Sequence, residues 1–424
     1  MYENESNERK ERAILCSVDT GKFDANISID ELEELARTAG AEVIAKVIQA
    51  RPAPDAALFL GVGKLEEIKE FYQYQDIDTL IFDDELTPSQ QRNIEKFTGF
   101  RVVDRTTLIL DIFAQRARSK EGKLQVELAQ LKYRLPRLGG QGLALSRLGG
   151  GIGTRGPGES KLESDKRHIR RRIDSISDEL KEVEKRRNNM RRRREKDGVQ
   201  TVVIVGYTNA GKSTLMNRLS DAGVLAENML FATLDPTSRA LELPSGRSVM
   251  LIDTVGLVRR LPHNLVEAFK STLEEAACAD VILNVCDASS SEYAEHLKVT
   301  EELLNELGAS GKPIVSVMNK ADLLYNTDDI PTIGRTVFIS ALRGTGINEL
   351  LKAIDESLPP DRARATYLFP YSDMGPSNIV REDGTVFSEE YTEEGLVIDA
   401  LCSIRVMNKL KAYIPGFPEE EEEF

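Results

Sequence analysis

Long apolar runs are missing from this 424-residue chain, and no stretch approaches the ~18 apolar residues of an ordinary transmembrane helix. The first residues, Met1 to Lys10, are polar and charged, so no signal peptide is read there. Cysteine is scarce. Cys16, Cys278, Cys286 and Cys402 are scattered, with no Cys-x-x-Cys and no histidine at ligand spacing. That excludes a disulfide scaffold or a zinc site and leaves buried free thiols of a cytoplasmic protein as the expectation. Internal repeats are absent, which removes solenoids and propellers. No unused apolar seam is evident, so a monomer is expected.

What is present is segregated charge. The net charge is −14, which taken alone argues against a nucleic-acid partner. Between Arg116 and Lys196, however, 24 Lys/Arg face 11 Asp/Glu. A basic block inside an acidic protein marks an interaction surface that the average hides.

The chain reads as four parts between a flexible N-terminus (1–10) and an acidic tail (419–424). Residues 11–105 alternate short apolar runs and amphipathic stretches. The strands are expected at 13–18, 42–48, 79–82 and 101–103, and the helices at 29–38, 64–74 and 88–97. This predicts a small α/β domain with a largely parallel sheet. Residues 106–198 carry two heptad seams. One runs Ala117, Leu124, Leu128, Leu131, Leu135, Leu138. The other runs Leu162, Ile169, Ile173, Ile176, Leu180, Val183, Met190. Ser160-x-x-Glu163 has the form of a capping box opening the second helix. The simplest geometry is an antiparallel two-helix coiled-coil arm with a Gly-rich tip (139–158) bearing Arg147 and Arg155. A basic run, Arg191, Arg192, Arg193 and Arg194, ends the arm.

Residues 199–360 repeat the strand/helix alternation, with Pro359-Pro360 closing the domain. Strands are expected at 201–205, 240–243, 248–252, 281–286, 314–318 and 336–339. Residues 361–418 suggest a small α+β domain, with strands at 366–370, 384–387 and near 396–405, and a helix from Ser388. The predicted fold class is therefore α/β. A P-loop domain is preceded by a small α/β domain and a two-helix arm, and followed by a small α+β domain.

Three motifs carry chemistry. Gly206-Tyr207-Thr208-Asn209-Ala210-Gly211-Lys212-Ser213, with Thr214 behind it, follows an apolar strand and opens a helix. Backbone N–H groups of such a loop cradle a β-phosphate, Lys212 neutralises β/γ oxygens and Ser213 offers its hydroxyl to Mg²⁺. Asp253-Thr-Val-Gly256 ends the next apolar run; Asp253 is placed to hold Mg²⁺ through a water and the Gly256 N–H to meet a γ-phosphate. Asn319-Lys320-Ala-Asp322 follows a third strand. The Asp322 carboxylate can accept from guanine N1–H and the 2-amino group, which adenine lacks. Asn319 would tie this loop to the P-loop, and the Lys320 stem would cover the base. In Ser340-Ala341 the Ala341 N–H is expected to donate to guanine O6. The nucleotide is therefore guanine: GTP and GDP, with Mg²⁺.

Between the first two motifs lies Phe231-Ala-Thr233-Leu-Asp-Pro-Thr237. Thr233 is chosen over Thr237 to close on Mg²⁺ and the γ-phosphate; the alternative is a Pro-containing loop with no ligand role. Where many GTP hydrolases carry a water-orienting Gln, this chain has Leu257, which predicts slow hydrolysis without a partner. Asn209 is a candidate to help hold a monovalent cation such as K⁺, or it only shapes the loop. Gly61-Val-Gly-Lys64 lacks the full phosphate-loop spacing and reads best as a tight turn before a helix, with a second nucleotide site as the alternative.

The order of these parts resembles the HflX family of translational GTPases. The likeness rests on the Gly-rich segment from Ser146 to Glu159, on Gly206–Ser213, Phe231–Thr237, Asp253–Leu257 and Asn319–Asp322, and covers about residues 11–365. The absence of Gln at position 257 fits that family too. The resemblance implies a ribosome-associated GTPase. Members bind the large ribosomal subunit, and some split stalled or idle 70S ribosomes, notably under stress. It also implies that the N-terminal domain and arm approach the peptidyl-transferase region. A basic two-helix arm with few aromatics at its tip independently suits ribosomal RNA phosphates better than base stacking. Two other readings stay open: a GTP-dependent RNA-binding factor in large-subunit assembly without splitting, and a GTP-binding stress-signalling scaffold.

Overall fold

The structure is a computed structural model; it describes residues 9–72, 74–140, 157–220, 237–259, 275–326, 330 and 334–416. The chain divides into two compact units, with the described parts of 9–182 and 255–259 in the first and the other described residues in the second.

The first unit is built on a four-stranded parallel sheet of order β2-β1-β3-β4, formed by β1 (Arg12–Asp19), β2 (Glu42–Ala50), β3 (Thr79–Phe82) and β4 (Arg101–Asp104). α1 (Ala25–Thr38), α2 (Val62–Tyr72) and α3 (Pro88–Thr98) connect them. Asp24 caps α1, and Thr87 with Gln90 forms a full capping box on α3, which explains where both helices start. This is the parallel α/β form expected from the strand/helix alternation.

The boundary at residue 105 does not hold. α4 (Arg105–Arg116), which the sequence assigns to the arm, buries Leu108, Ile109, Ile112 and Phe113 in the core of this sheet. The first heptad seam is also not one helix. α4 ends at Arg116, Ala117 is buried in that core, and Ser119 caps a new helix, α5 (Lys120–Arg134). Leu135 and Leu138 fall in a 3₁₀ turn beyond it. The apolar period runs through the break, so it conceals the stop.

α5 is two-faced. Val126, Ala129 and Tyr133 join the sheet core, while Leu124 and Leu128 pack with Ile176 of α6 (Pro157–Lys196). Arg172 donates to Glu127 at 2.7 Å and Lys120 pairs with Glu179 at 3.2 Å, so α5 and α6 run antiparallel. α6 has 40 residues, about 60 Å at 1.5 Å per residue, and opens at Pro157 rather than at the Ser160 capping box.

At the C-terminal ends of β3 and β4 the first unit buries a charge cluster. Arg105 donates to Asp83 at 2.8 Å, to Glu31 and, at 3.2 Å, to the Arg259 carbonyl. Ser17 donates to the other Asp83 oxygen at 3.2 Å. Both Arg105 and Asp83 are buried, and each has a charged partner.

The second unit contains a six-stranded sheet of order β10-β9-β8-β5-β7-β6. Its strands are β5 (Thr201–Gly206), β6 (Thr237–Glu242), β7 (Ser248–Asp253), β8 (Val281–Asp287), β9 (Ile314–Asn319) and β10 (Arg335–Phe338). Only β6, at the edge, runs antiparallel. α7 (Lys212–Leu219), α8 (Tyr293–Glu306) and α9 (Ile347–Ser357) follow β5, β8 and β10. β8 is buried along its first six residues, as a strand covered on both faces must be.

The same unit ends in a three-stranded antiparallel sheet, β11 (Arg362–Phe369), β13 (Leu396–Ser403) and β12 (Thr385–Tyr391), with α10 (Ser377–Asp383) and α11 (Ile404–Lys409). In β13 the alternation is complete: Leu396, Ile398, Ala400 and Cys402 are buried and the residues between them are not. The helix expected from Ser388 is instead strand β12; the helix lies before it, and its C-cap is Gly384. Cys16, Cys286 and Cys402 are buried free thiols as expected, but Cys278 is exposed. Among the described residues no helix is long and apolar enough to cross a membrane.

Candidate functional site

β5 lies at the centre of the six-stranded sheet, and its C-terminal end is where a parallel α/β sheet exposes a ligand crevice. Gly206 leaves the strand with φ +144°; a Cβ there would sit 2.1 Å from the Val285 carbonyl, so only glycine fits. Asn209 takes the left-handed conformation (φ 61°), which asparagine tolerates better than most side chains. Gly211 also has positive φ, and a Cβ there would lie 2.2 Å from Asn319 Nδ2. The two glycines thus let one loop approach two neighbouring strands at once.

Lys212 begins α7 and folds back under the loop, donating to the carbonyls of Gly206 (3.0 Å) and Tyr207 (2.7 Å). Burial pushes its pKa down to about 8, against the upward pull of Asp253. A buried ammonium held by two neutral carbonyls is suited to take an anion. Ser213 Oγ donates to Asp253 Oδ2 at 3.2 Å, which joins the first helical turn of α7 to the end of β7. That hydroxyl–carboxylate pair is a fitting donor set for Mg²⁺, which binds through one or two protein oxygens and the phosphates. Tyr207 stacks on His296 of α8, with ring centroids 3.9 Å apart and planes 13° from parallel.

After Thr254 the chain passes into the first unit. Thr254 Oγ1 donates to the Ile204 carbonyl at 2.8 Å and is fully buried. Val255 and Val258 are buried in the core of the first unit, and Gly256 and Leu257 are also buried. The Leu257 side chain has no polar atom to offer a water.

The loops after β9 and β10 interlock with the Gly206–Ser213 loop. Asn319, at the end of β9, donates from Nδ2 to the Ala210 carbonyl at 2.8 Å. Its Oδ1 accepts from the Ala341 N–H at 2.9 Å. This corrects the expected role of that N–H: it braces Asn319 rather than standing open for guanine O6. Lys320 is left-handed (φ 61°), and its Nζ pairs with Asp287 at 2.7 Å. A Ser340 hydroxyl bond holds the Asp322 carboxyl below the usual carboxylate range, with Arg343, 3.1 Å away, adding to it.

Gly206–Thr214, Asp253, Asn319, Lys320, Asp322, Ser340 and Ala341 therefore lie in one hydrogen-bonded unit. Phe231, Thr233, Arg147 and Arg155 lie outside the described residues. The basic run divides. Arg191 donates to Glu275 at 2.7 Å and Arg194 pairs with it at 3.6 Å, so these two do not face outward as nucleic-acid contacts. Arg192 and Arg193 are exposed. At the first-unit helix start, the Gly61 N–H donates to Gln49 Oε1 at 2.8 Å, in keeping with a tight turn. Sequence reasoning missed His296, Asp287, Arg218 and Arg343. Asp287 alone had a signal, as a carboxylate ending an apolar strand.

Comparison with known proteins gives three consecutive matches between residues 26 and 320. Residues 26–114 match the family described as GTP-binding GTPase N-terminal, 116–194 the GTP-binding GTPase Middle Region and 201–320 the 50S ribosome-binding GTPase. GTPase HflX of Caldanaerobacter subterraneus subsp. tengcongensis is 52% identical over 406 residues, 96% of this chain and 94% of that protein. GTPase HflX of Escherichia coli K12 is 44% identical, over 85% of this chain and 86% of its own. Among solved structures, a GTP-binding protein from Sulfolobus solfataricus in complex with GDP is 29% identical, covers 82% of this chain and 98% of its own, and has a TM-score of 0.45.

Proposed function

From the premise that the chain belongs to the HflX GTPase family, and hydrolyses GTP, we propose that its task is to bind the large ribosomal subunit and dissociate stalled or idle 70S ribosomes under stress. The observation that carries the ribosomal part is the row of exposed arginines on α6, among them Arg167, Arg170, Arg171, Arg186, Arg192 and Arg193. A long helix with outward cations suits the phosphates of structured RNA.

In this reading Lys212 and the P-loop amides hold the phosphates, and Asp322 selects guanine. Ser213 and Asp253 would hold Mg²⁺, which would supply charge neutralisation at the phosphates when bound. Thr233 and Gly256 would meet the γ-phosphate, and Asn209 would either help hold K⁺ or only shape the loop. Leu257 leaves the attacking water unoriented, so hydrolysis is slow until the ribosome supplies what is missing. The protein acts as a cytoplasmic monomer.

The test is GTP hydrolysis alone, with small subunits, with large subunits and with 70S ribosomes, with Lys212→Ala as control. Strong stimulation by large subunits and 70S, with 70S dissociation by light scattering, is the expected result. Stimulation without dissociation would favour an assembly factor. No stimulation with normal GTP binding would overturn the ribosomal reading and favour a signalling scaffold.

A further inference from the structure

We infer that Arg218 is a positioning residue for base recognition: from the last turn of α7 it holds the Ser340–Leu342 loop in place. This rests on reading Asn319–Asp322 and Ser340-Ala341 as the guanine pocket.

Arg218 belongs to none of the motifs. Its Nε donates to the Ala341 carbonyl at 3.1 Å, and its Nη2 donates to the Leu342 carbonyl. On the other side of Ala341, the N–H donates to Asn319 Oδ1 at 2.9 Å, and Asn319 in turn bonds the Ala210 carbonyl. One alanine is thus gripped at both its amide and its carbonyl, and both grips lead back to the phosphate-binding segment. A guanidinium suits this task because its rigid fork can serve two neighbouring carbonyls together. Gly344 lies over the same group; a Cβ there would be 3.7 Å from the guanidinium carbon.

The loop also controls Asp322. Ser340 hydrogen-bonds the Asp322 carboxylate and accepts from the Arg343 N–H at 3.1 Å. A loosened loop would misplace the carboxylate that reads the base. Lys212 and Arg218 stand six positions apart on one helix, about 9 Å of rise. α7 therefore fixes the spacing between the phosphate end and the base end of the nucleotide.

The test uses the full chain with Arg218→Met, Arg218→Lys and Asp322→Asn, each checked by its unfolding midpoint. Arg218→Met should raise KM for GTP and Kd for GDP about five- to tenfold, with kcat changed by less than about twofold. Amides 340–343 should exchange hydrogen faster, and Arg218→Lys should recover part of the loss. An unchanged KM in a folded variant, or a fall in kcat at constant KM, would overturn the inference. Should Arg218→Met fail to fold, the same KM reading on Arg218→Lys decides. Asp322→Asn turns an acceptor into a donor that matches the 2-carbonyl of xanthine, so preference should move from GTP to XTP. Failure of that swap sinks the pocket reading itself; a successful swap beside an indifferent Arg218→Met sinks only the role of Arg218.

Discussion

Two buried cations follow strands of two different sheets among the described residues, and their partners differ. Arg105, after β4, meets the carboxylates of Asp83 and Glu31, so its charge is balanced inside the fold. Lys212, after β5, meets the carbonyls of Gly206 and Tyr207 and has its pKa pushed down to about 8 by burial. The first cation is satisfied, and it holds structure. The second is held at a cost that an incoming anion would relieve, which suits it to binding. A cation after a strand meets carboxylates in one unit and neutral carbonyls in the other, and the partner set decides what each is suited to do.

Removing each cation should have opposite effects. Arg105→Met leaves Asp83 buried without its guanidinium and should cost about 3–5 kcal/mol of stability in denaturant titration. GTP turnover per folded molecule should change far less. Lys212→Met should lower GTP hydrolysis about 10²–10³-fold while the unfolding midpoint of the nucleotide-free protein holds or rises. A destabilised Lys212→Met with turnover intact would end the distinction.

The pH response sharpens it. Lys212 has a lowered pKa, so the unfolded chain binds the extra proton between about 8 and the ordinary 10.5. Stability of the nucleotide-free protein should therefore rise with pH across that window. GDP binding needs the charged ammonium and should weaken above pH 8, by at most about tenfold per unit. Calorimetry in buffers of different ionisation enthalpy should register proton uptake near pH 8, absent in Lys212→Met.

A smaller effect separates the arginines of the basic run. Arg192→Gln or Arg193→Gln should each lower the salt slope of large-subunit binding by about 0.7–0.9. Arg191→Gln should leave the slope alone and lower stability, since its guanidinium is spent on Glu275. A lowered slope for Arg191→Gln would return that residue to the RNA-facing set.

The P-loop, Asp253 and Asn319–Asp322 were legible because each motif is contiguous and ends an apolar strand. Arg218 was not, because its partners lie more than 120 positions away. The break between α4 and α5 was hidden by a seam that stays apolar through Ala117, since that residue is buried in the sheet core rather than on a helix. β12 misled for the opposite reason. Its residues are mostly exposed and Glu-rich, so no alternation marks it, and pairing with β13 overrides propensity. Arg191 and Arg194 look identical to Arg192 and Arg193 in sequence; pairing with Glu275 tells them apart.

The eight residues of α7 have an evolutionary consequence. Substitutions on its outer face change little, but its length is locked. One inserted residue between Lys212 and Arg218 would swing the arginine about 100° around the axis and lift it about 1.5 Å, away from the carbonyls of Ala341 and Leu342. Insertions and deletions should accumulate in the surrounding loops, and this helix should keep its count.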